Sequence, residues 1–108
     1  MTRSGNSVDR LVVHFVLTYH WFDEMTAGRK DTEFRAMTTH WRRLVWDRRC
    51  QITHAVFSRG YTATRITRPV SCVDIGPCPY DGWAGNYYRI HLGPVMHNTE
   101  SEPRGLSA

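Results

Sequence analysis

Lysine is almost missing from this sequence: Lys30 stands alone against 13 arginines in 108 residues. Arginine offers a permanently charged planar fork, whereas lysine offers a compact amine whose charge responds to burial. A lone lysine in Gly28-Arg29-Lys30-Asp31-Thr32-Glu33-Phe34-Arg35 is therefore suited to work that arginine cannot do. The competing explanation is a chance survivor of arginine bias. Long apolar runs are missing too, and no segment approaches the ~20 apolar residues of a membrane span. Met1-Thr2-Arg3-Ser4-Gly5-Asn6 lacks the apolar stretch of a signal peptide, so a cytoplasmic setting without a membrane partner is expected. Cysteine is sparse and odd in number: Cys50, Cys72 and Cys78 fit neither a CxxC pair nor a zinc knuckle and are expected to be free thiols. No two of the histidines, at positions 14, 20, 40, 54, 91 and 97, share an i, i+3 or i, i+4 spacing, and neither a metal nor another cofactor is expected. Phosphate loops of the GxxxxGK[ST] type, G-x-S-x-G elbows and H-E-x-x-H helices are all missing, which removes those reaction classes.

What is present describes one ordinary globular domain. A chain of 108 residues, 41% of them hydrophobic, suffices for a single core. The net charge of +4 is concentrated: arginines 42, 43, 48, 49, 59, 65 and 68 face one acid, Asp47, over the same stretch. Such a concentration suits a polyanion, because cations that neutralise phosphates release condensed counterions. A basic but merely soluble surface is the alternative.

Residues 1–9 and 97–108 carry no hydrophobic periodicity and are expected to be disordered tails around a domain of residues 10–96. Leu11 to Leu17 is a short apolar run rich in β-branched residues, predicting a well-buried first strand. Thr18 is placed to cap a helix carrying Trp21, Phe22 and Met25. Leu17 and Phe22 have the spacing of a hydrophobic staple, and Gly28 suits a left-handed stop. Alternation from Asp31 to Met37 predicts a strand with Thr32, Phe34 and Ala36 on one face and Asp31, Glu33 and Arg35 on the other. Thr38 or Thr39 can cap a second helix, with Trp41, Leu44 and Val45 facing the core and Arg42, Trp46 and Arg49 on a separate face. That second face could stack a base between phosphate contacts, or simply flank a partly buried tryptophan. Further strands are predicted over Gln51–Arg59, from about Thr64 to Ile75 as a strand pair or one bent strand, and over Tyr87–Leu92. Pro69 requires an edge or a bulge. The loop between Gly76 and Gly85 leaves Tyr80 and Trp83 exposed unless they fold back over a cavity.

The string Gly28-x-Lys30-x-x-Glu33-x-Arg35 resembles the signature of the ASCH domain family, and Val56-Phe57-Ser58-Arg59-Gly60-Tyr61-Thr62 and Tyr88-Arg89-Ile90-His91-Leu92-Gly93 are similar to segments of its small phage and bacterial members. The resemblance covers roughly residues 11 to 95. It implies an α+β chain with a PUA-like small β-barrel of five or six strands and two short helices, binding RNA or nucleotides in the cytoplasm, a host's if phage-encoded. Some members hydrolyse a modified cytidine nucleoside or cleave RNA. The amidohydrolase branch resembles Gly-x-Lys-x-x-Thr; Lys30 carries over, Glu33 stands where the threonine would be, and Thr32 points to the opposite face of a strand. Asp74 and Asp81 are the acids available for that branch's distal carboxylate.

The resemblance favours a polar pocket at the barrel mouth built from Lys30, Glu33 and Arg35, with Arg59, Tyr61 and Thr62 around the Gly60 turn as a second group of ligand contacts. Three functions are carried forward. The first is a monomeric module binding RNA, single-stranded nucleic acid or a nucleotide. The second is a hydrolase or ribonuclease in which Glu33 is the base and Lys30 stabilises an oxyanion. The third is a protein-interaction module, which requires Trp46, Tyr80 and Trp83 to form an exposed apolar patch.

Overall fold

Alternation shapes the first strand. In β1 (Leu11–Leu17) Val13, Phe15 and Leu17 are buried, whereas Val12 and Val16 are 43% and 45% exposed. The expected burial of the whole run is corrected to one face, because β1 is an edge strand covered on one side only. Thr18 occupies the N-cap of α1 (Tyr19–Ala27), but its side chain makes no capping bond; its carbonyl accepts from the Phe22 amide at 2.9 Å. Phe22 and Met25 turn into the core. Gly28, with φ of 79°, ends the helix in the left-handed region that a side chain disfavours.

The structure, a computed structural model, describes residues 10–98. The remaining elements are β2 (Thr32–Arg35), α2 (Thr39–Trp41) running into a π-helical turn (Arg42–Trp46), β3 (Ile52–Arg59), β4 (Arg65–Pro77), β5 (Asn86–Leu92) and a two-residue β6 (His97–Asn98). Pairing thus continues to Asn98, two residues past the expected end of the domain; the rest of both expected tails lies outside the described residues.

The result is a small α+β domain with a curled five-strand half-barrel sheet and two short helices, in the order β1-β3-β4-β5-β2. β1 and β3 are parallel, the other pairs antiparallel, and β6 pairs with β4. The curl follows from β4, whose first half pairs with β3 and whose second half pairs with β5 across a register shift between Val70 and Cys72. Pro69 stands just before that shift, where a missing donor does least harm. Its carbonyl accepts from the Gly93 amide at 2.8 Å, and a Cβ on Gly93 would meet the proline ring at 2.7 Å, so this crossing needs glycine.

Phe15, Phe22, Phe57, Met25, Ile66, Ile90 and Val45 fill the concave side, with Phe15 and Phe57 stacked at 5.5 Å. Each such side chain contributes about 1.5–3 kcal/mol on burial. Thr38 caps α2 as expected, its hydroxyl accepting from the Trp41 amide at 3.2 Å. The predicted stripe of Trp41, Leu44 and Val45 is corrected at Leu44, which is 38% exposed. The i to i+5 turn holds an extra residue, so faces drawn for 3.6 residues per turn no longer apply. Among the described residues no helix is long and apolar enough to cross a membrane.

Candidate functional site

β2 is the other edge of the curled sheet. Glu33 stands opposite Ile90 and Arg35 opposite Tyr88 in the ladder, so both share the inward face with core residues, and Phe34 stands opposite Arg89 on the outer face. At an unpaired edge, side chains of both faces reach one space. That space is a cavity of about 210 Å³. Val16, Leu17 and Thr18 at the end of β1 form one side, and Glu33, Phe34 and Arg35 of β2 form the other. The two edges of the half-barrel therefore face each other across it, and the Arg35 guanidinium lies 4.8 Å from the Phe15 ring of β1.

Lys30 enters from the turn after Gly28 and is 8% exposed. Its Nζ donates to Glu33 Oε1 at 2.6 Å, while Arg35 Nε and Nη2 reach Glu33 Oε2 at 2.8 and 2.6 Å. One carboxylate thus serves two cations through separate oxygens, and the triad carries a net positive charge. The buried Arg68 fixes the backbone beneath it. Its Nε donates to the Gly93 carbonyl at 2.7 Å, and its Nη1 donates to the carbonyls of Met25 and Lys30. Burial pushes the Arg68 pKa down, partly offset by the charge of Asp31.

Aromatic rings complete the cavity. Lys30 Nζ lies 5.5 Å from the Trp21 ring and 5.7 Å from Phe34. Tyr80 stacks on Trp21 at 5.1 Å and meets Phe34 and Trp83 edge-on at 5.5 and 5.7 Å. Burial raises the Tyr80 pKa, keeping its hydroxyl neutral. The loop after β4 therefore folds back, the case the sequence had left conditional. A second cavity, about 410 Å³, adjoins the first: Phe34, Arg35 and Trp83 belong to both, and Trp41, Gly82 and Tyr87 line the second.

The Gly60 turn lies elsewhere. Arg59, Tyr61 and Thr62 do not line either cavity. Arg59 pairs with Asp23 at 3.1 Å and packs on Tyr19 at 3.9 Å, Tyr61 is 97% exposed, and the Thr62 hydroxyl donates to the Arg59 carbonyl at 2.6 Å, closing the turn. Leu17 links the two places, since it lines the first cavity and its carbonyl accepts from the Gly60 amide at 2.8 Å.

The second helix face is similarly engaged. Arg49 lies 3.9 Å over the Trp46 ring, Trp46 stacks on Tyr88 at 5.6 Å, and Arg42 pairs with Asp47 at 3.1 Å. This is the flanked, partly buried tryptophan rather than a free stacking platform. Within the arginine run Arg68 is buried and Arg59 half-buried, whereas Arg42, Arg43, Arg48, Arg49 and Arg65 stay exposed. Of the three aromatics named for a protein-interaction patch, Tyr80 and Trp83 line the cavity, with Trp83 still 41% exposed, and Trp46 is half-buried.

Neither Asp74 nor Asp81 lines the cavity with Lys30. Asp74 lies on the outer face of the sheet, accepting from Arg89 Nε and Nη2 at 2.7 and 2.9 Å and lying 3.1 Å from His91 Nε2. The Arg89 hydrogen bonds first, and then His91, lower its pKa from 3.8 to about 2. A depressed carboxylate contributes stability above its unfolded value and loses it as pH falls through the folded one. Unfolding free energy is therefore expected to decline between pH 4 and pH 2, and Asp74→Asn should flatten that limb. Because the side chain is 43% exposed, the effect is about 1 kcal/mol or less. Equal acid limbs in urea titrations of the two proteins would disprove the assignment.

All three cysteines are unpaired, Cys50 and Cys72 exposed and Cys78 buried. Among the described residues no three His, Cys, Asp or Glu side chains gather as a metal site. The cavity brings together Lys30, Glu33 and Arg35, which the sequence singled out, with Trp21, which it grouped with Phe22 and Met25 on one side of the helix, and Phe34, which it set on the opposite strand face. The available signal was the density of aromatics on both sides of the Lys30 string. Comparison with family models, curated proteins and solved structures found no match to this chain.

Proposed function

We propose that this chain binds a base-containing ligand, single-stranded RNA or a nucleotide, in the aromatic cavity, as a PUA-like module of the ASCH type. The observation that carries this reading is the setting of Lys30: a buried ammonium with a single hydrogen-bond acceptor among the described residues, held between Trp21 and Phe34. Its remaining N–H groups suit a base carbonyl, and the rings suit the base plane, since stacking is worth about 1–3 kcal/mol per base. The cavity is smaller than the roughly 300–1,000 Å³ of drug-sized sites, which fits one base rather than a larger body. The net positive triad suits an attached phosphate.

Hydrolysis is the weaker reading. Both oxygens of Glu33 are held by cations, an arrangement that opposes its service as a general base, and among the described residues Glu33 is the sole carboxylate of the lining.

Titrations of nucleosides, nucleotides and single-stranded RNA, read by quenching of the cavity tryptophans, test the proposal. Lys30→Met is expected to weaken binding tenfold or more, since a hydrogen bond to a charged donor contributes about 1.5–3 kcal/mol. RNA affinity should fall with salt and do so less steeply in the variant. Binding that is unchanged in Lys30→Met, or no binding by any of these probes, defeats the proposal. Consumption of a modified nucleoside by wild type alone would replace it with the hydrolase reading.

A further inference from the structure

We infer that the site takes two consecutive nucleotides of a single strand, one base in each cavity, with the connecting phosphate on Arg35. This deepens the reading above and rests on it. The two cavities are neighbours that share Phe34, Arg35 and Trp83, so whatever leaves the first at Arg35 passes directly into the second. Arg35 is the charged group at that junction. Its Nε and Nη2 are committed to Glu33, and its Nη1 has no acceptor among the described residues. The guanidinium is held in place by the rings of Phe15 and Trp41, at 4.8 and 4.9 Å, which leaves a preset donor rather than a mobile one. Its side chain is 20% exposed, accessible enough for a phosphate oxygen to reach.

The two compartments differ in a way that fits this division. The first holds the buried polar group, Lys30, for reading a base edge. The second, about 410 Å³, has among the described residues no acidic or basic side chain other than Arg35 in its lining, and Trp83 and Tyr87 meet there at 5.4 Å with planes inclined by 45°. Such a surface stacks any base without selecting one. The expected ligand therefore shows base preference at one nucleotide and tolerance at its neighbour.

The test compares the four ribonucleoside 5′-monophosphates with the matching ribodinucleotides and with deoxydinucleotides, by calorimetry on the full chain. The dinucleotide is expected to bind about tenfold more tightly than its mononucleotide, near the low end of what stacking one further base supplies. Tyr87→Ala should erase most of that gain, and Tyr87→Phe should keep it. Deoxydinucleotides matching ribodinucleotides would assign the site to either nucleic acid; weaker deoxydinucleotides would assign it to RNA. Mononucleotides that bind as tightly as dinucleotides overturn this inference while leaving the base-binding proposal standing. A gain that survives Tyr87→Ala also overturns it, as does failure of every dinucleotide to bind; failure of nucleosides, nucleotides and single-stranded RNA alike overturns both.

Discussion

Replacing Glu33 by glutamine is expected to destabilise the folded chain by about 3 kcal/mol, because removing one partner of a buried ion pair leaves uncompensated charge behind. Here two cations are left. Lys30 and Arg35 both bond the same carboxylate, whose side chain is 5% exposed, and they converge on it from the two ends of a short stretch of chain. The shape change is minimal, so the effect isolates charge. Urea unfolding should show a lower midpoint with an unchanged slope. Adding Lys30→Met to the glutamine variant removes one of the two orphaned cations and should recover part of the loss, a coupling within the ~0.5–3 kcal/mol expected of residues in one network. A loss below about 0.5 kcal/mol, or strict additivity in the double variant, would show that water rather than Glu33 solvates the two cations. Phosphate or a nucleotide should restabilise the Glu33→Gln protein more than an equal concentration of chloride, if the triad is where the anion binds.

Arg68→Met is expected to cost about 4 kcal/mol, and it tests how the site is held rather than what it does. The guanidinium is 3% exposed and has no carboxylate partner in a salt bridge among the described residues; its acceptors there are the carbonyls of Gly93, Met25 and Lys30 and the Met25 sulfur. A methionine of similar reach fills the space but takes the donor from the Gly93 and Lys30 carbonyls, at about 1–3 kcal/mol each before relaxation, while the Met25 carbonyl keeps the Gly28 amide. For a domain of this size the fall in Tm should be roughly 15 °C or more. Arg68→Lys keeps the charge but not the fork, and should recover less than half of the loss. The same carbonyls tie the end of α1, the Lys30 turn and the end of β5 together, so ligand affinity is expected to fall in any Arg68 variant that still folds. Wild-type affinity in a folded Arg68→Lys protein would show that Lys30 is positioned by its own side-chain contacts alone.

Much of this was legible because local rules decide it. Alternation of Tyr88, Ile90 and Leu92 against Tyr87, Arg89 and His91 is a property of any pleated strand with one covered face, and β5 obeys it. Gly28 marked the helix stop because few other residues accept a positive φ. Glu33 and Arg35 were placed on one face by a period of two, and Lys30 followed from the length of the turn. Where local rules were overruled, a neighbour distant in sequence was responsible. Leu44 turned outward because a π-helical turn displaced the helical period. Trp46 was claimed by Tyr88, which lies on the last long strand, and Arg59 by Asp23 of the first helix.

The sequence by itself determined most of the elements, the alternating faces of β2 and β5 and the lone lysine beside a carboxylate and an arginine, because periodicity and chain stiffness act within a few residues. Only the tertiary structure decided that these residues form a cavity. The register shift in β4 curls the sheet, the curl brings the two edge strands face to face, and the loop after β4 then lays Tyr80 against Trp21 and Phe34, with Trp83 behind it on Tyr80 and Tyr87. Arg68 shows the same division: in the sequence it is one more positive charge in a basic run, and in the fold it is the buried clamp on three backbone carbonyls. Nothing local distinguishes it from Arg65, because its surroundings are supplied by a helix and a strand end far along the chain.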